Sequence, residues 1–333
     1  MIKGLKRDAG LLASLGLVLS VGLALSLMMG EGGVDGRLIP LALSGHDTLA
    51  REILFQIRLP RALTAALVGA LLGLSGAVLQ GLLRNPLADP GVLGISSAAG
   101  LGAALAIVLG FSLVPGVTEG FALCFALGFA LLLSLYTLRH PESEALILFG
   151  VAASSLGGAL TALVYNLSPS PLAMAEIMGW MMGSVENRHM GDVLWAALAL
   201  LAGGILATLC APLLRLLSLG EETVASSALA VRPLKMVAVL CASLCASVAV
   251  AVAGMIGFIG LAAPHMVRPL VGQDPARVLA PSALFGAVFV VLADCLVRVI
   301  PTEAELKLGV LSALVGAPVF GLLAWRAARS WRS

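Results

Sequence analysis

The chain has 333 residues, of which 60% are hydrophobic and only 11% are charged, and its formal net charge is +2. Its mean hydropathy is +1.06. A soluble core of this size could not bury so much apolar surface. The composition therefore excludes an ordinary soluble protein and predicts a chain that lies in lipid.

Stretches without Lys, Arg, Asp or Glu recur along the whole chain, and most reach the roughly 20 residues that a membrane-crossing helix needs. They cover residues 9–30, 62–83, 90–118, 120–138, 145–175, 193–214, 236–264, 278–293 and 308–325. The first ends in Met28-Met29-Gly30 without a small-x-small cleavage site, which indicates an uncleaved first helix.

One charge-free run, from Met236 to Val267, is too long for a single span. We expect it to contain two helices, with the break among its glycines and a proline that supplies no backbone N–H: Gly254, Gly257, Gly260 and Pro264. The sequence thus predicts an all-α, polytopic integral membrane protein with ten transmembrane helices, forming a single domain over residues 1–333.

Basic residues at both ends of the chain indicate that both termini are cytoplasmic, which requires an even number of spans. Threading ten helices places thirteen basic residues inside: Lys3, Lys6, Arg7, Arg84, Arg139, Arg215, Arg232, Lys235, Arg268, Arg277, Arg326, Arg329 and Arg332. The other seven lie outside: Arg37, Arg51, Arg58, Arg61, Arg188, Arg298 and Lys307. The two counts agree with a cytoplasmic location of both termini.

The sequence gives little support for an enzyme. No lysine completes a G-x-x-x-x-G-K-[ST] phosphate loop, and the four histidines are far apart and form no H-E-x-x-H motif. The five cysteines all fall in apolar runs and are odd in number, so we expect packing residues, and neither disulfides nor a metal site. No catalytic residue and no bound cofactor are predicted.

Asp294 is the only carboxylate within the predicted spans. Carboxylates inside a membrane are energetically costly and usually functional. It lies four residues before Arg298 on one helix face, so an internal ion pair is one explanation of its presence. An ion-coupled secondary transporter would be expected to keep more such groups within its spans.

Several motifs follow one another in a specific order. Arg58-Leu-Pro-Arg61 is followed by Gly69, Gly73, Ser75-Gly76, Gln80-Gly81 and Arg84-Asn-Pro-Leu-Ala-Asp-Pro-Gly91. Further blocks are Trp180-Met-Met-Gly-Ser184, Gly257-Phe-Ile-Gly-Leu-Ala-Ala-Pro-His265, Leu292-Ala-Asp294 with Arg298, and Gly309 to Pro318. From residue 55 to 325 the chain resembles the permease subunits of type II ABC importers of the FecCD/BtuC type, which take up iron-siderophores, haem or vitamin B12.

The resemblance implies a homodimer of ten-helix subunits in the bacterial inner membrane, two cytoplasmic ATPase subunits and a periplasmic substrate-binding protein. Transport would proceed by ATP-driven alternating access, with ATP hydrolysis on the separate subunit. No nucleic-acid partner is expected.

Arg58 and Arg61 bracket Pro60 at the predicted start of the second helix, where two cations oppose the positive end of the helix dipole. They could snorkel to lipid headgroups. Alternatively they meet an acidic partner, and the resemblance implies that Arg58, Arg61 and Arg298 dock glutamates of the binding protein.

The resemblance also implies a cytoplasmic gate and an ATPase-coupling segment. The gate would involve Asn85 and Leu87, in the turn after the second helix, with Ser143 before the fifth. The coupling segment lies at about residues 215–235 and includes Leu219, Gly220, Glu221, Glu222 and Ala225. It departs from the family pattern where Leu229-Ala230 replaces the usual Leu-Gly. A solvated amphipathic loop is the other interpretation of this segment.

The predicted function is that of a binding-protein-dependent importer permease. A secondary transporter or exporter that works alone is the alternative, and an associated subunit with a phosphate loop would distinguish the two. The resemblance implies an iron-siderophore, haem or cobalamin as the substrate.

Overall fold

The computed structural model describes residues 2–30, 33–34, 36–44, 47–140, 142–168, 170–220, 223, 227, 229–300 and 305–330.

The first half of the chain forms α1 (Ile2–Met28), two-residue antiparallel strands β1 (Met29–Gly30) and β2 (Gly33–Val34), α2 (Leu38–Ser44), α3 (Thr48–Glu52), a π-helical turn (Ile53–Arg58), α4 (Leu59–Leu82), a 3₁₀ turn (Pro90–Leu93), α5 (Ile95–Val108), a second 3₁₀ turn (Phe111–Leu113), α6 (Val117–Arg139) and α7 (Ser143–Asn166). The second half forms α8 (Pro171–Met181), α9 (Met190–Leu219), α10 (Val231–Ala253), α11 (Ile259–Val271), α12 (Pro275–Val299) and α13 (Leu308–Ser330).

Seven helical segments of the described chain are long and apolar enough to cross a membrane. They are Asp8–Met28, Thr48–Leu82, Val117–Arg139, Ser143–Asn166, Met190–Leu219, Val231–Ala253 and Pro275–Val299. The apolar helices Ile95–Val108 and Leu308–Pro318 are shorter. The prediction of an all-α, polytopic membrane protein is confirmed, whereas the count of ten spans stays a prediction.

The predicted break in the long charge-free run is confirmed. Helix α10 ends at Ala253, and α11 begins at Ile259. Gly254 has a positive φ of +69° that glycine tolerates, and Phe258, just before α11, has a left-handed helical backbone with φ +68°. Pro264 lies inside α11, so the glycine, and not the proline, marks the break.

Helices α4 and α12 form the centre of the bundle and pack antiparallel with their backbones in contact. A Cβ atom at Gly69 would lie 2.2 Å from the carbonyl oxygen of Gly286, and one at Gly73 would lie 2.2 Å from that of Ser282. The small residues at positions 69 and 73 thus permit close helix packing. This backbone contact at Gly69, Gly73, Ser282 and Gly286, the α4–α12 seam, fixes the relative position of the side chains at both ends of the two helices.

Two boundaries differ from the sequence-based expectation. Helical backbone precedes Arg58 continuously from Thr48, through the π-helical turn, so the two arginines do not lie at a free helix start. Helices α9 and α10 extend into the predicted coupling segment, so the connection between them spans only residues 220–230. Leu216, Leu217 and Leu219 extend α9 beyond Arg215, and α10 includes Arg232 and Lys235 in its first turns.

Candidate functional site

The two ends of the α4–α12 pair differ in their charged groups. We call the end with Arg61, Asp294 and Arg298 the Arg61 end. The opposite end, with Arg215 and Asp274, is the Arg215 end.

A cluster of four charged side chains, Arg61, Asp294, Arg298 and Glu305, occupies the Arg61 end. Arg61 donates to Asp294 through Nε and Nη2, the shorter contact being 2.8 Å, and its Nη1 donates to Glu305 Oε2 at 3.1 Å. Arg298 also pairs with Asp294, which confirms the predicted ion pair within α12. Asp294 is only 1% exposed, so two arginines neutralise one buried carboxylate.

Arg58 and Arg298 also hold the end of α1. Arg58 Nη1 donates to the carbonyl oxygens of Leu27 and Met28, each at 2.9 Å, and Arg298 Nη1 donates to the Ser26 carbonyl at 2.9 Å. The last carbonyls of a helix lack intrahelical partners and accept such cationic donors. Arg58 and Arg298 thus meet at the end of α1, Arg61 is linked to Arg298 through Asp294, and each of the three predicted docking arginines has contacts within the chain.

Sequence reasoning missed Glu305 as a member of this cluster. Its side chain reaches Arg61 across 244 positions of sequence, and no local spacing rule links the two residues. The available signal was a carboxylate shortly before the last predicted span, on the same side of the membrane as Arg61.

The turn after α4 is ordered by its own polar side chains. Asn85 Oδ1 accepts from the Leu87 N–H at 2.9 Å, and Asp89 Oδ1 accepts from the Gly91 N–H at 2.8 Å. The Leu87 side chain is 54% exposed. Asp89 therefore caps the following helical turn.

Asp89 makes a second contact that the sequence did not show. Its buried carboxylate also accepts from the Leu261 N–H in the first turn of α11. Burial raises the pKa of the Asp89 carboxyl above its ordinary value, and the two backbone donors act in the opposite direction. Gln80 donates to the Leu261 carbonyl at 3.2 Å and accepts from Arg268 at 2.9 Å, so the turn, α4 and α11 form one hydrogen-bonded unit.

Ser143, the third predicted gate residue, is the first residue of α7. Helix α7 packs on the segment that follows the Asn85 turn, since a Cβ atom at Gly150 would lie 2.9 Å from Leu93 Cα. Ser154 Oγ donates to the Val92 carbonyl at 3.2 Å. The two predicted gate segments thus belong to neighbouring elements.

Two of the five predicted coupling residues lie within the described chain. Leu219 is the last residue of α9 and Gly220 follows it, whereas Glu221, Glu222 and Ala225 lie outside the described residues. Close by, Arg215 pairs with Asp274 at 3.1 Å and thereby joins the end of α9 to the start of α12.

A cavity of about 570 Å³ lies between the end of α8, the break before α11 and the first half of α13. Its lining is apolar and rich in methionine: Met181, Met182, Met255, Gly309, Val310, Ala313, Leu314, Ala317 and Pro318. The N–H of Gly309 donates to the Met182 carbonyl at 3.1 Å, so this backbone donor is already occupied. Methionine side chains adapt to irregular apolar ligands.

Comparison with known proteins agrees with this architecture. The model of the FecCD transport family matches residues 18–326. The vitamin B12 import permease BtuC of Salmonella typhi is 38% identical over 97% of each chain. The hemin transport permease HmuU of Yersinia pestis is 38% identical over 81% of this chain and 82% of its own. The molybdate import permease MolB of Haemophilus influenzae is 36% identical over 85% of this chain and 84% of its own.

A solved structure of an inward-facing transporter, assigned to the metal-chelate type of ABC transporter, superposes with a TM-score of 0.85. It is 33% identical and covers 96% of this chain and 99% of its own. The fold and these relatives define a permease subunit of an ABC importer, a transport component and not an enzyme. The chain belongs to the FecCD transport family, in which ATP hydrolysis lies on a separate subunit.

Proposed function

We propose that this chain is the membrane-spanning subunit of a binding-protein-dependent importer that moves an iron chelate, either a siderophore or haem, or cobalamin across the bacterial inner membrane. The observation that supports it most is the likeness over 97% of the chain to a vitamin B12 permease, combined with the absence of a phosphate loop from the sequence. Ten spans, cytoplasmic termini and ATP-driven alternating access belong to this proposal. ATP-dependent uptake into proteoliposomes tests it.

We further propose that the cavity borders the substrate pathway, in which case its apolar lining supports an organic chelate over an oxyanion. Oxyanions are bound by cationic side chains, free backbone N–H groups or helix N-termini. None of the nine lining residues is charged, and the Gly309 N–H is already bonded. We therefore expect uptake of haem, a ferric siderophore or cobalamin, and none of molybdate. Uptake of molybdate alone would contradict this substrate class.

The Arg61 end supports the docking proposal, in which Arg58, Arg61 and Arg298 face the periplasm and meet acidic groups of the binding protein. Arg61 and Arg298 have side chains only 13% and 7% exposed. Arg58 is intermediate in exposure. Docking at Arg61 and Arg298 would therefore involve partly desolvated guanidinium groups, for which the loss of a charge partner has large effects on affinity.

The opposite end would then face the cytoplasm, with the ATPase subunits bound at the coupling segment of about residues 215–235. Arg215–Asp274 would connect that binding site to α12. Asn85, Leu87 and Ser143 would form the gate where two copies of the chain meet. Exposed Leu87 supports this, because a homodimer would cover it.

A cross-linking experiment tests the homodimer and the gate together. With the native cysteines replaced, Leu87→Cys is expected to form a disulfide-linked dimer in membranes under oxidising conditions. Leu109→Cys, 60% exposed near the other end of α5, is the matched control and should stay monomeric. Equal cross-linking of both variants would contradict the gate assignment.

A further inference from the structure

The two carboxylates that neutralise Arg61 are not equivalent. The side chain of Asp294 is 2% exposed and also pairs with Arg298. The side chain of Glu305 is 23% exposed and lies on the segment that leads into α13. Arg61 therefore has one inner partner that water barely reaches and one outer partner at the surface.

The guanidinium group of Arg61 divides its donors between these partners. Nε donates to Asp294 Oδ1 at 3.0 Å, and Nη1 donates to Glu305 Oε2 at 3.1 Å, while Nη2 contacts both carboxylates. The Nη1–Nη2 edge is thus occupied by Glu305. It is also the edge that a second carboxylate would need for two parallel N–H···O bonds.

We infer that Glu305 is an internal competitor of the binding protein, which docks by displacing Glu305 from Arg61. This inference rests on the proposed docking at Arg58, Arg61 and Arg298. Within the cluster, two arginines balance two carboxylates, so removal of Glu305 leaves one uncompensated positive charge. An acidic group of the partner restores neutrality, and the exchange avoids leaving a partly buried charge unpaired.

The displacement of Glu305 would affect the helix that lines the cavity. Glu305 precedes the start of α13 at Leu308 by three residues, and Gly309 and Val310 of that helix line the cavity. Lys307, between them, pairs with Glu186 at 3.3 Å. Glu305 and Lys307 therefore hold the beginning of α13 by two ion pairs, and displacement of Glu305 releases one. Docking is in this way linked to the helix that borders the cavity.

The test compares Glu305→Gln with Glu186→Gln in the full-length chain. Both variants remove one negative charge from the Arg61 end, but Glu186 pairs with Lys307 and not with Arg61. Dissociation constants for the cognate substrate-free binding protein are measured at low and at high salt. Glu305→Gln should bind about two- to fivefold more tightly than wild type, in line with the strength of one partly exposed ion pair. The dissociation constant of Glu186→Gln should differ less from that of the wild type.

A third variant, Arg58→Glu, separates this inference from the docking proposal. If it binds as well as wild type at low salt, the docking assignment fails. If it weakens binding while Glu305→Gln equals Glu186→Gln or binds more weakly than wild type, docking stands and the competition is wrong. Melting temperatures of the three variants show whether each remains folded.

Discussion

Replacing Asp294 with alanine is expected to lower the free energy of unfolding by about 3–5 kcal/mol, because the variant leaves a buried arginine without its counter-ion. Arg61 would keep Glu305, but the Arg298 side chain, 7% exposed, would keep only uncharged partners at Ser26 and Met29. Thermal and denaturant unfolding of the purified chain in detergent measures the loss.

The matched control for this prediction is Glu186→Ala. It breaks the Lys307–Glu186 pair, whose side chains are 32% and 34% exposed, and exposed pairs of this kind contribute about 0.2–1 kcal/mol. The loss in free energy of unfolding for Asp294→Asn should lie between those of the two alanine variants. The amide keeps the size of the side chain and one hydrogen-bond acceptor but loses the charge. Equal stability of Asp294→Ala and Glu186→Ala would show that the cluster does not stabilise the fold.

Gly69→Ala should also destabilise the fold, by about 1–3 kcal/mol or more, through overpacking at the α4–α12 seam. The new methyl carbon would lie 2.2 Å from the carbonyl oxygen of Gly286 and 2.6 Å from its carbonyl carbon, so the two backbones must separate. Because Arg61 and Asp294 bridge the same two helices, their ion pair should lengthen as well. Loss of folded, monodisperse protein after purification is the first readout.

Gly128→Ala in α6 is the control for the second prediction. No atom lies within 4 Å of a Cβ placed there, so this substitution keeps the packing and gains helix propensity. We expect it to match or exceed the melting temperature of the wild type. A Gly69→Ala variant as stable as Gly128→Ala would mean that the two helices are not in backbone contact.

The sequence predicted the features that depend on local chemistry. The absence of charge from Met236 to Val267 and the glycines within that run sufficed to predict a break between residues 254 and 264, and the structure has it before α11. The four-residue spacing of Asp294 and Arg298 sufficed to predict their ion pair. Asn85 and Asp89 each accept a hydrogen bond from the backbone N–H two residues later, as short polar side chains in turns commonly do.

Contacts between distant segments were not predictable in the same way. Arg61 could equally have met lipid or a partner protein, and only the antiparallel seam of α4 and α12 shows that Asp294 lies opposite it. Likewise, nothing in the sequence indicated that Asp89 accepts a second backbone hydrogen bond from Leu261. The docking, gate and coupling residues remain predictions, since they concern partner chains.

The measurement that tests the account most directly is substrate uptake into proteoliposomes with each component omitted in turn. The vesicles contain this chain alone or together with its cognate ATPase, and the binding protein loaded with haem, a ferric siderophore or cobalamin is added outside. We expect uptake of at least one chelate only when the permease, the ATPase, the binding protein and ATP are all present, and no ATP hydrolysis by the isolated chain. Uptake by the chain alone under an ion gradient, or ATP turnover by the homogeneous chain, would contradict the account.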